Sequence, residues 1–479
     1  MMPSPNPPAS RVRYAILALL CSLAMITYMD RAANGSAKDA IMTDLNKNRA
    51  EGDKYSKEDF FIIIMAFQLA YALFEVPAGW LGDMRGPRST LLRVVIWWSL
   101  FVFLTGFTGL SIWSGIVLGF GFLLVVQFLF GVGEAGAFPN ISKSVYNWFP
   151  ADSRGTAKSA VWMSARFMGG MTPFVWVLLT DEEFGKLSWR EAIWIFAGVA
   201  AIWVVIFYFY FANRPSEHRG VNQAERELID AGRRFIKDRP SALPWRKFLR
   251  SRNLLALCLM YVVTNFCWYF LMYNHPGAMK KAFPDWNDTW DGKLLLALLS
   301  GAPLLVGMAG CFLGGFLSDR YIRRTGDRKW GRRIYGMIGY AGAGVCYFLA
   351  IGGKMYDPDN LWVYAVPLLM MGFFNDLIMA PAWATAQDIG GRYAATVSGA
   401  MNMFGNLFGA VLGIFVTGMI LTAHTENPGT KEEVVQNSGY IICFAIYGIV
   451  YFVGVVSWLF IDASKPIVPE DLLESEPAA

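Results

Sequence analysis

The sequence predicts an all-α membrane protein with twelve transmembrane helices in two halves of six. Of the 479 residues, 55% are hydrophobic and only 16% are charged, whereas a soluble domain carries about 25% charged residues. The mean hydropathy is +0.37. Uncharged runs approach the roughly 20 residues that a helix needs to cross the hydrocarbon core of a bilayer. A weak internal repeat relates the two halves, and we expect the lipid bilayer to surround both.

One long polar break separates two sets of predicted spans. The spans before it are 14–36, 60–81, 91–112, 115–138, 156–180 and 190–212, and those after it are 253–275, 294–317, 334–352, 361–385, 394–421 and 439–461. The chain therefore divides into an N-terminal bundle (1–212), a linker (213–252), a C-terminal bundle (253–462) and a tail (463–479). The linker segment VNQAERELIDAGRRF predicts an amphipathic helix at the membrane surface, and a plain basic linker is the alternative.

The distribution of Lys and Arg in the short loops predicts the orientation. Basic residues cluster before span 1 and after spans 2, 4 and 8, while the other loops are neutral or acidic. Because cytoplasmic loops carry the excess of Lys and Arg, we expect both termini in the cytoplasm and the chain in the cell (inner) membrane. The first apolar run has no small-residue cleavage site and is interpreted as an uncleaved helix. The basic residues include Arg11, Arg13, Arg85, Arg88, Lys143, Arg154, Lys158, Arg320, Arg332 and Arg333.

The internal repeat is carried by the ends of spans 2 and 8, which read GWLGDMRGPR and GFLSDRYIRR. The first segment resembles the G-x-x-x-D-x-x-G-x-[RK] loop signature of the major facilitator superfamily, and the second repeats its Gly and Asp. The resemblance implies two six-helix halves around a central cavity. It also implies a gating role, closing the cytoplasmic side, for Asp83, Arg88, Asp319 and Arg320.

Five further fragments resemble the anion:cation symporter family within that superfamily. They are TYMDR, VPAGWLGD, FLFGVGEAGAFPN, NRPSEHRGVNQAERELI and SGAMNMFGN, in this order along the chain. The resemblance implies import of a small organic anion, a sugar acid such as a hexuronate or an aldonate. It further implies a proton as the coupling ion, no cofactor, and a monomer.

Ionisable side chains at mid-bilayer cost at least about 2.5–3.5 kcal/mol and are functional candidates for that reason. Neighbours in sequence point about 100° apart on a helix, so one of Asp30 and Arg31 can line the cavity while the other contacts a neighbouring helix. We hypothesise that a cavity for substrate and proton makes both charges tolerable; a structural ion-pair network is the alternative. The residues at this depth are Asp30, Arg31, Glu75, Glu134, Arg166 and Asp376.

The resemblance assigns roles to these charges. Arg31 is implied to bind the substrate carboxylate, since a guanidinium matches a carboxylate in bidentate geometry. Asp30 is implied to carry a coupling proton, and we expect the buried carboxylate of Glu134 to carry one as well. Glu75 replaces a common family Gln and is a third proton site or a partner of Arg166. Asp376 has no predicted partner.

Spans 4 and 5 depart from the family pattern in a complementary way. Gln127, seven residues before Glu134, stands where family members carry Arg, and Arg166 stands where sugar-acid members carry Gln. We hypothesise that Arg166 restores the second positive charge in the cavity. The alternative is that Arg166 faces the cytoplasmic half and serves packing or topology.

Polar and aromatic residues complete the predicted substrate site. Asn402 and Asn406 lie four residues apart on one helix face, where they contact a hydroxylated ligand or join helices by hydrogen bonds. Tyr71 matches a substrate-facing Tyr of sugar-acid members, although aromatic packing also explains it. Trp383 lies five residues before Asp388, as in the family's W-A-x-x-x-D pattern, and its indole suits a hydroxylated ligand. Weaker candidates are Trp268 and Tyr269, and His275 is expected near the periplasmic mouth.

Other functional classes are disfavoured by the sequence. The net charge of +5 does not point to nucleic acid, and the six cysteines and three histidines lack metal-ligand spacing. No Gly-x-x-x-x-Gly-Lys-[Ser/Thr] loop of an ATP-driven pump is present. We therefore expect a transporter rather than an enzyme, with no metal. Anion exchange, uptake of a non-sugar carboxylate and a transporter-like sensor stay as alternatives to proton symport of a sugar acid.

Overall fold

The computed structural model describes residues 8–47, 49–50, 53–55, 57–112, 116–230, 244–273, 286, 289–357, 360–426, 434–435 and 437–468. Within these ranges the chain is built from helices, with two very short antiparallel hairpins. Large apolar side chains such as Phe209 and Phe415 point outward and are 80% and 61% exposed. An exterior of this kind fits the acyl chains of a bilayer.

The helices before the linker are α1 (Val12–Ser36), α2 (Lys38–Asn46), α3 (Lys57–Arg85), α4 (Pro87–Thr105), α5 (Phe120–Glu134), α6 (Ala137–Trp148), α7 (Arg154–Thr180) and α8 (Trp189–Tyr210). Strands β1 (Ser111–Ile112) and β2 (Ile116–Val117) form a hairpin between α4 and α5. The linker contains α9 (Gln223–Asp230) and α10 (Trp245–Leu249).

The helices after the linker are α11 (Arg252–Tyr273), α12 (Trp290–Thr325), α13 (Arg328–Tyr356), α14 (Leu361–Leu377), α15 (Met379–Gly390), α16 (Ala394–Phe404), α17 (Val411–Ala423) and α18 (Asn437–Trp458). A π-helical turn, Gly405–Ala410, joins α16 to α17. Strands β3 (Thr425–Glu426) and β4 (Val434–Val435) form the second hairpin.

The beginning of α1, the linker helix α9, the start of α11 and the segment directly after α18 meet at one face of the bundle. Glu225 of α9 accepts hydrogen bonds from the backbone N–H groups of Val12 and Arg13, at 2.9 and 3.1 Å. Asn253 at the start of α11 donates to the Asp462 carbonyl at 3.0 Å. We call this face the terminal face and the other the opposite face. The predicted linker helix is thus present over Gln223–Asp230, and residues 231–243 lie outside the described part.

Two of the predicted spans are interrupted in the same way, span 4 near its predicted end and span 10 within its second half. Span 4 is divided into α5 and α6, and span 10 into α14 and α15. Pro139 and Pro381 are the third residues of α6 and α15, and each lacks the backbone N–H that would continue the preceding helix. Span 3 is also shorter than predicted, because α4 ends at Thr105 before the β1–β2 hairpin.

The two halves contact each other through α7 on α12 and α3 on α16. Small residues permit this close approach. A Cβ atom added at Gly301 of α12 would lie 2.9 Å from the Cα atom of Gly170 in α7. The backbones of the two halves therefore touch where the chain has no side chain to separate them.

Replacing Gly301 by Val should destabilise the protein. The added side chain would meet backbone that cannot rotate away, and such overpacking costs about 1–3 kcal/mol. The measurement is the thermal midpoint of the purified protein in detergent. Gly198→Val is the matched control, because nothing lies within 4 Å of a Cβ atom there. Equal midpoints for the two variants would contradict the proposed backbone contact.

Candidate functional site

A cavity of about 880 Å³ lies between the two halves and reaches the opposite face near Asp39 and Lys293. Its volume is in the range of small-molecule sites. Six of the residues predicted to contact substrate line it: Arg31, Tyr71, Gln127, Arg166, Asn402 and Asn406. Trp383, Asp30, Glu75 and Glu134 are buried behind this lining.

Arg31 and Glu134 form an ion pair at the cavity wall. The Arg31 Nε atom lies 2.6 Å from Glu134 Oε1, and the Arg31 side chain is 24% exposed whereas that of Glu134 is fully buried. The guanidinium carbon lies 4.3 Å from the centre of the Tyr71 ring. Charge-assisted hydrogen bonds of this kind are about twice as strong as neutral ones. One face of Arg31 is thus accessible from the cavity while Glu134 holds it from behind.

Asp30 points away from the cavity. Its Oδ2 atom accepts a hydrogen bond of 3.1 Å from the indole N–H of Trp98 in α4. Its Oδ1 atom has no hydrogen-bond partner among the described residues. Of the two adjacent charges, Arg31 lines the cavity and Asp30 contacts a neighbouring helix. The hypothesis that the cavity accommodates both is wrong for Asp30, because neighbouring helical positions point in different directions.

Arg166 and Asp376 form a bidentate ion pair between the two halves. The distances are 2.6 Å from Nε to Oδ2 and 2.8 Å from Nη2 to Oδ1. The third nitrogen, Nη1, donates to the Tyr28 hydroxyl at 2.8 Å. This geometry supplies the partner of Asp376 that the sequence left open and replaces Glu75 as the predicted partner of Arg166. Arg166 lines the cavity, but its charge is already neutralised.

The polar side chains of α3, α16 and the π-helical turn form two neighbouring hydrogen-bonded clusters. Asn402 donates to the Tyr71 hydroxyl at 3.1 Å and also to the Glu75 carboxylate. Asn406 accepts from Gln68 at 3.0 Å and from Asn265 at 3.2 Å. Both asparagines therefore join helices and line the cavity at once, so the two roles proposed from the sequence do not exclude each other.

Gln127 of α5 also lines the cavity. Its side-chain amide donates to the Thr105 hydroxyl at 3.2 Å and to Asn34 at 3.4 Å. The position that carries Arg in the resembling family thus makes only neutral contacts in the described part of this chain. Among the residues that the structure describes, Arg31 and Arg166 are the arginines that line the cavity.

An aromatic layer closes the cavity toward the terminal face. Trp162 stacks on Phe138 with ring centres 4.6 Å apart, and Trp383 lies 5.4 Å from Trp162. The Trp383 indole N–H donates to the Tyr261 hydroxyl at 3.1 Å. We call these four residues the aromatic floor. Trp383 is fully buried and does not line the cavity. This placement differs from the prediction that Trp383 contacts the substrate.

Two aspartates close the terminal face by capping helices of the opposite half. Asp83 in α3 accepts from the N–H and the hydroxyl of Thr396 at 2.8 and 2.7 Å. Asp319 in α12 accepts from the N–H and the hydroxyl of Thr156 at 2.5 and 2.8 Å. Each threonine is the third residue of its helix, where a carboxylate satisfies a free N–H and the positive end of the helix dipole.

Basic residues complete this ionic gate. Lys143 lies 3.3 Å from Asp83, and Arg332 lies 2.8 Å from Asp319. Asp388 lies 3.3 Å from Arg332 and 3.1 Å from Arg154. Because Arg154 belongs to the first half, Asp388 extends the network across the two halves. We use the term ionic gate for Asp83, Lys143, Arg154, Thr156, Asp319, Arg332, Asp388 and Thr396.

The other two predicted gating residues are placed elsewhere. Arg88 donates to the Tyr208 carbonyl at 2.6 Å rather than to Asp83, and Arg320 is exposed on the surface. The basic partners of the aspartates are Lys143 and Arg332, which the sequence analysis had treated as loop charges. The internal repeat is the sequence signal that indicates the gate. Thr156 follows Asp83 in the first half, and Thr396 follows Asp319 in the second half at a nearly equal separation. Each aspartate then binds the threonine of the other half.

An ion pair also joins the halves at the mouth of the cavity. Lys293 Nζ lies 2.9 Å from Asp181 Oδ2, and the lysine side chain is 43% exposed. The Glu183 N–H and the Lys293 ammonium hold the pKa of Asp181 below its usual value, so this carboxylate is charged at neutral pH. His275 and the side chain of Tyr269 lie outside the described residues, while Trp268 packs 4.6 Å from the Arg166 guanidinium.

Comparisons with known proteins agree with this architecture. Residues 20–414 match the family model described as Major Facilitator Superfamily. The structure of a proton:xylose symporter bound to 6-bromo-6-deoxy-D-glucose superimposes with a TM-score of 0.72 at 14% identity, over 97% of this chain and 98% of that chain. The human organic anion transporter MFSD10 superimposes with a TM-score of 0.63 at 12% identity, over 95% of this chain and 100% of that chain. These comparisons confirm the predicted fold of two six-helix halves.

Relatives of higher identity are named as carriers of organic anions. A "Probable sulfoacetate transporter" of Cupriavidus necator is 30% identical over 464 residues, which are 94% of each chain. A "Probable galactarate/D-glucarate transporter" of Escherichia coli is 27% identical and covers 87% of this chain and 89% of the relative. The resemblance predicted from five short fragments is therefore supported along nearly the whole length.

Removing one partner of the Arg166–Asp376 pair should cost far more than removing both. Arg166→Gln leaves the buried Asp376 carboxylate without its counter-charge, a loss of about 3–5 kcal/mol. The double variant Arg166→Gln with Asp376→Asn removes the buried charges and should recover most of that stability. Thermal midpoints of the two variants measure the difference. Equal destabilisation of the single and double variants would contradict the pairing.

Loss of one gate aspartate should loosen only the helix that it caps. In Asp319→Asn, amide hydrogen exchange at the beginning of α7 should rise roughly tenfold, because hydrogen bonds to charged groups contribute about 1.5–3 kcal/mol. Exchange at the beginning of α16, which Asp83 caps, should stay unchanged. Asp327→Asn, at the exposed start of α13, is the control. Unaltered exchange in α7 would show that the cap is not formed.

Proposed function

The chain belongs to the Major Facilitator Superfamily, and from this premise we propose that it imports a small organic anion by proton symport. The anion binds in the cavity between the halves, and the halves rock to expose it to either side of the membrane. With both termini in the cytoplasm, the described state is open to the outside and closed by the ionic gate. The chain thus acts as a carrier and not as an enzyme.

The observation that carries the proposal is the Arg31–Glu134 pair at the cavity wall. A carboxylate or sulfonate entering the cavity reaches the guanidinium of Arg31 and competes with Glu134 for it. If Glu134 released Arg31 as an anion, it would be left buried without a counter-charge, at a cost of about 3–5 kcal/mol. Protonation of Glu134 removes this cost. Anion binding and proton binding therefore favour each other, which is thermodynamic linkage between two sites.

Asp30 and Glu75 extend the proton-coupling group. Each has one carboxylate oxygen without a hydrogen-bond partner among the described residues, Oδ1 of Asp30 and Oε2 of Glu75. A protonated carboxyl suits a buried position better than a carboxylate does. We assign Asp30 and Glu75 supporting roles, since neither side chain contacts the cavity directly.

The lining favours a polar anion over a purely apolar acid. Arg31 offers the charge, and Gln127, Asn402, Asn406 and Tyr71 offer hydrogen-bonding groups for hydroxyls. Arg166 offers a second cationic group when Asp376 is displaced or protonated. We therefore propose a sugar acid as the first substrate class. The second substrate class that we propose is a short sulfonated or non-sugar carboxylate. It is included because the sulfoacetate transporter of Cupriavidus necator is 30% identical to this chain, compared with 27% for the galactarate/D-glucarate transporter of Escherichia coli.

The proposal is tested by a thermal-shift panel on the purified protein at two pH values. The panel contains sulfoacetate, galactarate, glucuronate, galactonate and the matching neutral sugars. Stabilisation by one class of acid and not by its neutral sugar supports an anion site and identifies the class, because a ligand stabilises the state that binds it. Stabilisation by neutral sugars alone would contradict the proposal.

Glu134→Gln should separate anion transport from the proton gradient. The amide imitates the protonated acid, so Arg31 stays available to the anion and exchange of labelled for unlabelled substrate should continue. Accumulation driven by an imposed proton gradient should fall at least about tenfold, since the coupling carboxylate is gone. Proteoliposome uptake measures both quantities. Glu182→Gln, in the exposed loop after α7, is the control.

Retained accumulation in Glu134→Gln would exclude Glu134 as the coupling site. Loss of exchange as well as accumulation would show that Glu134 serves to hold Arg31 rather than to carry a proton. Uptake by the unaltered protein without any dependence on a proton gradient would favour the alternative of anion exchange.

A further inference from the structure

Lys158 is a buried lysine without a counter-charge among the described residues. It lies in α7, its relative exposure is 0%, and its Nζ atom has no hydrogen-bond partner among the described residues. The nearest favourable contact is the ring of Trp383, whose centre lies 4.4 Å from Nζ. A cation–π contact gives about 2 kcal/mol when desolvated. That is little against the cost of burying an ammonium ion outside an ion pair.

The position of Lys158 on α7 relates it to the cavity and to the gate. Arg154, Lys158, Trp162 and Arg166 follow one another at intervals of four residues, so they lie along one face in steps of about 6 Å. Arg166 lines the cavity, Trp162 belongs to the aromatic floor, and Arg154 belongs to the ionic gate. Lys158 lies between the floor and the gate, on the path from the cavity to the terminal face.

The two arginines on this face are neutralised from the other half of the molecule. Asp376 pairs with Arg166, and Asp388 pairs with Arg154. Lys158 differs from both, because no described carboxylate lies within ion-pair distance of it. If this position served only to fill space, methionine would fill it without the cost of burying a charge. A lysine kept for topology belongs at the membrane surface, whereas this one is buried between the halves.

We propose that Lys158 is an anion-binding residue of the state that opens to the terminal face. When the aromatic floor parts and the ionic gate separates, the carboxylate or sulfonate of the transported anion leaves Arg31 and contacts the Lys158 ammonium. The ammonium has no internal carboxylate to displace, so the anion meets no competitor there. This inference rests on the proposed function and adds a second binding position on the release side.

The test measures transport from the two faces separately. Lys158→Met and Lys158→Arg are compared with the unaltered protein in right-side-out and inverted membrane vesicles, with radiolabelled sulfoacetate and galactarate as probes. Lys158→Met should raise the half-saturation concentration at least tenfold for anion presented at the terminal face. At the opposite face the change should stay within twofold. Lys158→Arg keeps the charge and should restore most of the affinity.

Two controls separate a binding role from a structural one. Lys329→Met removes a lysine that is 39% exposed on the terminal face and should leave transport from both faces unchanged. The thermal midpoint of Lys158→Met should equal or exceed that of the unaltered protein, because no ion pair is lost. Lys158→Gln serves as the second neutral variant if Lys158→Met does not accumulate in the membrane.

Equal half-saturation concentrations for Lys158→Met and the unaltered protein at the terminal face would overturn the inference. An equal loss of affinity at both faces, or a lowered thermal midpoint, would overturn it as well and assign Lys158 a structural role. Absence of uptake of either anion by the unaltered protein would overturn the proposed function for these probes and, with it, the inference.

Discussion

Apart from Lys158, the charges described as buried between the two halves are matched by a group of the other half, and the structure is organised around this matching. Arg166 is neutralised by Asp376, Arg154 by Asp388, and the aspartates of the gate by helix N-termini on the far side of the interface. The bilayer offers no water to replace these partners. The contacts that allow charges to be buried are therefore the same contacts that hold one state of the molecule closed.

The Arg31–Glu134 pair follows a different rule, because both residues belong to the first half. Movement of one half relative to the other does not separate them. Only a competing anion or a proton changes their contact, so this pair responds to ligand while the pairs between halves respond to conformation. A carrier needs both kinds of contact, since binding must bias an equilibrium between two states.

The sequence predicted the helices because hydropathy records them directly, and it predicted six of the residues that line the cavity because they are polar within apolar runs. The partner of Asp376 was not predicted, since it lies 210 residues away in the chain. The breaks in spans 4 and 10 depend on Pro139 and Pro381. They were not predicted, because the residues on both sides of each break are apolar and give one continuous hydropathy signal. Lys143, Arg154 and Lys158 resembled loop charges, and only the packing shows that they are buried. The roles of the cavity residues remain predictions.

The gate has a consequence for how such a chain tolerates change in evolution. Asp83 and Asp319 accept from the third N–H of α16 and α7, and a backbone N–H is present with any residue except proline at that position. Any such substitution at Thr396 or Thr156 keeps that bond. Insertion or deletion in the short loops before these helices would rotate the N–H groups away from the carboxylates. Lengths of the loops at 149–153 and 391–393 should vary less among relatives than their residues do.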